Sequence, residues 1–213
     1  MKRLGIISAA IASLSGAAAA ADLPTKAPPA APTFLPFTWT GAYAGASGGY
    51  GWTTSGGLDA TGGLGGGQIG YNVQTGSLVL GIEGDIAGAG ISQTVNGSIG
   101  IIPFTTAFTT DTLASLHGRA GLAYNSWLFY GTVGAGWAHD KTSANIAGAP
   151  FSGNQWLSGW TAGAGLEWAF APNWSTKFEY QHYGLGTANS FGTVPAGKVD
   201  IDTLKIGINY LFR

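Results

Sequence analysis

The sequence predicts an all-β fold: an eight-stranded antiparallel transmembrane up-and-down β-barrel with lipid outside and a polar interior. Three observations predict it. In the last segment, Leu204, Ile206, Ile208, Tyr210 and Phe212 share one parity, and Thr203, Lys205, Gly207 and Asn209 share the other. Alternate residues of a strand face opposite sides, so one side is apolar and ends in two aromatics while the other is polar. Charged residues make up 9% of the chain, against roughly 25% in ordinary soluble proteins, too few to cover a water-facing surface. Finally, eight alternating segments are joined by long and short links in strict alternation, the order an outer-membrane barrel requires.

The ends of the chain come first. Lys2 and Arg3 open a short apolar run from Leu4 to Leu14, and Ala19-Ala20-Ala21 offers Ala-x-Ala cleavage before Asp22. Residues 1–21 therefore read as a secretory signal peptide cut after Ala21. Ser8, Ser13, Ser15 and Gly16 break the run well short of the ~20 apolar residues of a spanning helix. With Lys2 and Arg3 removed, acidic groups outnumber basic ones, which leaves no footprint for nucleic acid. No apolar stretch long enough for a spanning helix follows Ala21, so a closed barrel is the remaining way across a membrane. Cys is absent, which excludes a thioether lipid anchor. Residues 22–36, with Pro24, Pro28, Pro29, Pro32 and Pro36, read as an extended periplasmic leader, and 37–213 as the barrel.

Each segment is assigned an inward parity from its polar residues. In Thr38–Trp52, Ala42, Ala44, Ala46, Tyr50 and Trp52 point out, and Gly41, Tyr43, Gly45 and Ser47 point in; the large Tyr43 makes this parity the weakest. Gly62–Gln74 has Ile69, Tyr71 and Val73 out, with Gln68, Asn72 and Gln74 in. Leu78–Ala87 has Leu78, Leu80, Ile82 and Ile86 out, with Glu83 and Asp85 in. Asp111–Tyr124 has Leu116, Ala120, Leu122 and Tyr124 out, with His117 and Arg119 in. Trp127–Ala138 turns Phe129, Val133, Ala135 and Trp137 outward, and Tyr130 and Thr132 inward. Gln155–Phe170 turns Trp156, Trp160, Leu166, Trp168 and Phe170 outward, and Thr161 and Glu167 inward. Trp174–Tyr183 turns Trp174, Phe178 and Tyr180 outward, and Lys177, Glu179 and Gln181 inward. The segment from Asp202 to Phe212 is the eighth.

Alternation alone would also suit a soluble sandwich; the position of the aromatics discriminates. Tyr124, Trp127, Phe170, Trp174, Tyr210 and Phe212 flank the short turns, and Tyr50, Trp52, Trp137 and Trp156 lie at the other ends. Two aromatic rows bounding an apolar band are the interfacial girdles of a membrane barrel. The links Gln74–Ser77, Asn125–Ser126 and Ala171–Asn173 are short; Thr53–Thr61, Gly88–Thr110, His139–Asn154 and Gly184–Lys198 are long. Short turns face the periplasm, so both termini are expected there. The Gly88–Thr110 link is oddly apolar, with Ile99, Ile101, Ile102, Phe104 and Phe108, and is expected to continue its strands as a hairpin; an adhesive surface is the functional alternative.

The inward charges fall in one zone, and they form the candidate site: Glu83, Asp85, Arg119, Glu167, Lys177, Glu179 and Lys205. Glu83 and Asp85 are expected beside Arg119, Glu167 beside Lys177, and Glu179 beside Lys205. An eight-stranded barrel is only wide enough for its side chains to fill it. Buried charges need partners, so the expectation is a salt-bridged plug rather than a narrow, porin-like water or ion path.

The stretches Trp39-Thr-Gly-Ala-Tyr43, Gly67-Gln-Ile-Gly-Tyr-Asn72, Gly81-Ile-Glu-Gly-Asp85, Gly118-Arg-Ala-Gly121 and Asn173-Trp-Ser-Thr-Lys177, with the Asp22-Leu-Pro start, resemble small alphaproteobacterial porin-family outer-membrane proteins, the outer-membrane immunogenic or RopB-like family. The resemblance spans nearly all of the mature chain. It implies an abundant Gram-negative surface protein that supports envelope integrity and meets a host or environmental ligand through its loops, with no catalytic residues and no cofactor. Lys205-Ile-Gly-Ile-Asn-Tyr-Leu-Phe212 also looks like the C-terminal signal of such chains, in which Lys205, Gly207, Ile208, Tyr210 and Phe212 would be read by the barrel assembly machinery. Arg213 follows here, whereas these chains usually end on the aromatic, and His117 stands where the family often has a second basic residue.

Other chemistry finds little support. Gly65-Gly-Gly-Gln-Ile-Gly70 fits a dinucleotide-binding string, but strand follows where a helix N-terminus is needed. His117, His139 and His182 are scattered without metal spacing; His117 is expected inside, the other two at the outer rim. Haem capture by the rim histidines lacks a pocket. A lipid-modifying enzyme would need a nucleophile with a base, for which Ser158 and His182 are the available pair.

Overall fold

The computed structural model describes residues 37–53, 59–187 and 198–213. The expected signal peptide and leader lie outside these residues, as do 54–58 and 188–197 within two of the long links. Eight strands follow in chain order: β1 (Gly41–Thr53), β2 (Thr61–Thr75), β3 (Leu78–Ile99) and β4 (Ile102–Tyr124), then β5 (Trp127–Ile146), β6 (Ala149–Ala171), β7 (Trp174–Thr187) and β8 (Lys198–Phe212). Each pairs antiparallel with its neighbours in sequence, and β8 returns to β1 through Ala42↔Phe212 to Thr53↔Ile201, which closes the barrel.

Period-two alternation fixes which side each residue faces, because a one-residue slip would turn every side chain over. On β8, Leu204, Ile206 and Ile208 are exposed while Thr203, Lys205, Gly207 and Asn209 are buried. The same division holds on β2, where Ile69 is 67% exposed and its neighbour Gln68 4%. Large apolar residues that avoid the interior in favour of the exterior are the inverse of a soluble core, and suit a wall that lipid covers.

The links differ from expectation at the hairpin end. Asn125–Ser126 and Pro172–Asn173 are tight, as their length requires. The Gly88–Thr110 segment is strand on both sides of Gly100 and Ile101, in keeping with its apolar content. His139–Asn154, expected as a loop, is also strand, and Asn145↔Pro150 and Ile146↔Ala149 stay in register to the tip. There Ala147 and Gly148 both have positive φ, 52° and 86°, the two-residue primed turn that matches the twist of its strands. β3 to β6 consequently rise beyond the aromatic girdle as a paired sheet.

Candidate functional site in the barrel interior

Inward-facing side chains fill the barrel in three layers, readable along β8: Ile201 at the hairpin end, Lys205 in the middle and Leu211 at the tight-turn end. The tight-turn layer is apolar and aromatic, with Trp39, Tyr43, Val79, Leu128, Tyr130 and Leu211 all buried. Trp39 precedes β1 and turns into this mouth, where its backbone N–H donates to Gln74 Oε1 at 2.7 Å. Arg213 secures the same end: its guanidinium lies 3.9 Å from the centroid of the Phe37 ring and donates to the Pro172 carbonyl. The hairpin-end layer gathers Leu64, Ile91, Leu113, Leu157, Leu185 and Ile201 around Tyr183. A wholly polar interior is therefore not what the barrel has; two apolar layers bracket a charged one. Apart from Trp39, which precedes β1, the residues named in these layers sit on the inward parity of their strands, so extending that parity to the strand ends finds those members.

All seven predicted charged residues point into the middle layer, from five different strands. Arg119 on β4 is its hub. Its Nη2 donates to Glu167 Oε2 at 2.7 Å, and its Nη1 to the Tyr43 hydroxyl at 2.8 Å and Glu83 Oε2 at 3.4 Å. The guanidinium also lies 4.0 Å from the centroid of the Tyr130 ring. Lys177 donates to Glu83 Oε1 at 2.6 Å and stands 3.7 Å from Glu179. Lys205 reaches Glu179 at 3.1 Å, Asp85 at 3.4 Å and Gln181 Oε1 at 2.7 Å.

Two of the expected groupings bond elsewhere. Glu167 and Lys177 are opposite one another on β6 and β7, yet Glu167 takes Arg119, Ser175 and Asn209 as partners while Lys177 takes Glu83. Asp85 accepts from Ser115 and Lys205 rather than from Arg119. The physical reason is the width of the lumen: in so narrow a barrel a long side chain reaches across the axis as readily as to the next strand. Small residues make the room. Gly70 lies opposite Tyr43 and Gly165 opposite Tyr130, and a Cβ on Gly165 would stand 2.5 Å from the Tyr130 ring.

His117 is buried beside this layer, 3.4 Å from Glu83 and within 3.0 Å of Ser115 Oγ through Nδ1. Glu83, His117 and Glu179 bring one ligand atom each within 4.8 Å of one another. A cation is already supplied there by the chain itself, the ammonium of Lys177, which contacts both carboxylates.

The rim histidines face outward. His139 Nδ1 is 2.7 Å from Asp111, with its ring 4.9 Å from Trp156; His182 Nδ1 is 2.8 Å from Asp202, with its ring 5.0 Å from Trp160. A β-bulge at Asp111, between Thr110 and Thr112, brings its carboxylate to both His139 and Lys141. Hydrogen bonds from Lys141 and His139 pull Asp111 down to about 2, at the level of Trp156, on which His139 packs. Ser158 does not join His182: the residue opposite His182 is Ala162, four positions farther along β6. The residues of the expected assembly signal lie on the strand that seals the barrel, with Lys205 and Gly207 inward and Ile208, Tyr210 and Phe212 outward.

A family model and sequence relatives agree with this architecture. The family described as outer membrane protein beta-barrel domain matches residues 6–212. The 31 kDa outer-membrane immunogenic protein of Brucella melitensis biotype 1 is 30% identical, covering 97% of this chain and 99% of its own. The 25 kDa outer-membrane immunogenic protein of Brucella canis is 32% identical, covering 100% and 99%. A 22 kDa outer membrane protein of Rhizobium leguminosarum bv. viciae is 30% identical over 82% of this chain and 79% of its own. Among solved structures, Ail of Yersinia pestis in complex with the heparin analogue sucrose octasulfate aligns with a TM-score of 0.49 at 19% identity, over 81% of this chain and 100% of that one. Neisserial surface protein A aligns at 0.48 and 19%, over 81% and 98%. The chain belongs to the outer-membrane β-barrel family that includes these immunogenic proteins, and its place is the bacterial outer membrane.

Proposed function

We propose that this protein is a sealed, non-enzymatic structural barrel of the cell envelope, exported with its signal cut after Ala21 and anchored by its lipid-facing wall. One observation carries the reading: the charged layer is closed off by buried apolar layers at both ends, Trp39, Leu128 and Leu211 on one side and Ile91, Leu113 and Ile201 on the other. An ion path needs continuous polar lining, and a charge in an apolar layer without partners costs several kcal/mol. The charged side chains hold one another across the axis, which fits a plug that stiffens the cylinder. Export and folding place the C-terminal strand, with its outward Tyr210 and Phe212, in the hands of the barrel assembly machinery.

Single-channel recording in planar bilayers tests the reading. A sealed barrel gives no reproducible conductance steps. Regular steps that vanish when the protein is boiled before reconstitution would mean an open path and overturn it.

A further inference from the structure

The outward face of the hairpin sheet differs in polarity from the outward face of the barrel beneath it. β3 to β6 stay paired up to Ile99↔Ile102 and Ile146↔Ala149, and residues opposite one another in a ladder share a face. One row on the outward face is Ser92, Thr109, Lys141 and Asn154; the next is Thr94, Ala107, Ser143 and Ser152. Most of these side chains are exposed. The inward face of the same sheet, by contrast, carries half-buried Val95, Phe104, Phe108 and Ala144. Below the girdle the outward face is apolar and the inward face holds the charged layer; above it the outward face is polar, and the inward face mixes these apolar residues with Gln93, Thr106 and Thr142.

Between β5 and β6 the outward rows run on from the lipid-facing wall with no shift of register. On β6, Trp156 (63% exposed) shares the face of Asn154 and Ser152 and leads down to Trp160 and Trp168. Acyl chains cover that wall below the girdle. Above it, the surface meets the other end of the same outer-leaflet molecules, which is saccharide. The chemistry of the rows suits that partner. Hydroxyl and amide side chains both donate and accept, as sugar hydroxyls do, and an exposed indole offers a flat apolar body with a polar handle. Phosphate or sulfate would call for free guanidinium or ammonium groups. Among these rows the cation is Lys141, which is already 2.7 Å from Asp111.

We propose that the outward face of the hairpin sheet, built on the rows of Thr94, Ser143 and Ser152 and of Thr109 and Asn154, binds neutral saccharide of the outer-leaflet glycolipid surrounding the barrel. The proposal rests on the outer-membrane placement of the chain and not on whether its interior is sealed, so the two are tested separately.

The chain contains no cysteine, so a single introduced thiol reports on one position. Ser143→Cys probes the outward face, and Ala144→Cys its inward neighbour. Each variant is folded, checked by unboiled gel migration, and reconstituted into three kinds of vesicle. These contain phospholipid alone, phospholipid with lipid A, or phospholipid with lipopolysaccharide bearing a neutral polysaccharide. The readout is the rate of alkylation by a water-soluble maleimide. Contact predicts that polysaccharide slows Ser143→Cys by roughly fivefold or more, the effect of about one net hydrogen bond. Ala144→Cys keeps its rate, and adding Thr94→Ala, Thr109→Ala and Asn154→Ala to Ser143→Cys restores most of the lost rate. Equal slowing by lipid A alone would assign the face to phosphate headgroups and overturn the proposal. Equal slowing of both thiols, or a slowing that survives the triple substitution, would mean crowding rather than recognition. Protection by a soluble sulfated polymer exceeding that by a neutral one would also overturn it.

Discussion

Arg119 holds two carboxylates and a tyrosine hydroxyl at once: Glu83 comes from the adjacent β3, and Tyr43 and Glu167 reach it from β1 and β6, which do not adjoin its strand. Replacing it with alanine strands Glu83 and Glu167 without their guanidinium in a water-poor interior. Breaking a buried ion pair from one side costs on the order of 3–5 kcal/mol, so Arg119→Ala should unfold at clearly lower urea concentration in detergent micelles or lipid vesicles. A midpoint equal to the parent's would mean the interior is wet enough to solvate the carboxylates. The inward charges were legible in the sequence, since parity separates Glu83 and Lys205 from Ile82 and Ile206. Their partners were not. Glu167 and Lys177 are neighbours in register yet ignore each other, because the choice among partners depends on side-chain reach across the axis, which no strand pattern encodes.

Asp111 makes a different kind of statement, since it lies in a half-buried bulge at the hairpin-end girdle. Its carboxyl is lowered to about 2 by Lys141 and His139, below the ordinary value near 4. A depressed carboxylate stabilises the hairpin fully above its unfolded value and loses that contribution as pH falls through the folded value. Titration of the Asp111 carboxyl followed by NMR should therefore show a midpoint near 2. A midpoint near 4 would mean that the clasp with Lys141 and His139 does not form in solution.

At the scale of the element, each strand separates two solvents, and the barrel's outer wall is the side with lipid. Ile206 on β8 is 63% exposed, flanked on its strand by Leu204 and Ile208. An arginine at such a position near mid-bilayer costs roughly 2–4 kcal/mol. Ile206→Arg should therefore fold into vesicles with correspondingly lower stability, measured by denaturant titration; an unchanged value would mean that water wets this face. The strands crossing the membrane were legible because composition and alternation agree there. The tops of β5 and β6 were not. Thr142, Ala144 and Ile146 alternate with Lys141, Ser143 and Asn145, but the polar parity is now the outward one, so a rule that reads polar as inward fails above the girdle. The turn that closes them also hides its signal: Ala147 takes the left-handed conformation usually given to Asn, Asp or Gly.

At the scale of the whole molecule, two boundaries organise the structure. One is the wall between hydrocarbon and interior; the other is the pair of apolar layers that separate the charged middle from either mouth. The first follows from sequence periodicity and a low charge content. The second needed the closed barrel, because Trp39 precedes the first strand and becomes part of a layer only when the far ends of β5, β6 and β8 surround it. The same closure explains why a chain so short of charge concentrates what it has: an eight-stranded lumen has room for one layer of long side chains and for little solvent.

Both boundaries are tested together by tryptophan quenching, since the chain has eight tryptophans and Trp39 is fully buried while Trp174 is 42% exposed on the outer wall. Two variants, one keeping Trp39 alone and the other Trp174 alone, are folded into vesicles containing brominated acyl chains and titrated with aqueous iodide. Fluorescence from Trp174 should be quenched by the brominated lipid, and that from Trp39 by neither agent. Iodide quenching of Trp39 comparable to that of a free peptide, or lipid quenching of Trp39 in place of Trp174, would contradict a sealed barrel with hydrocarbon against its outer wall.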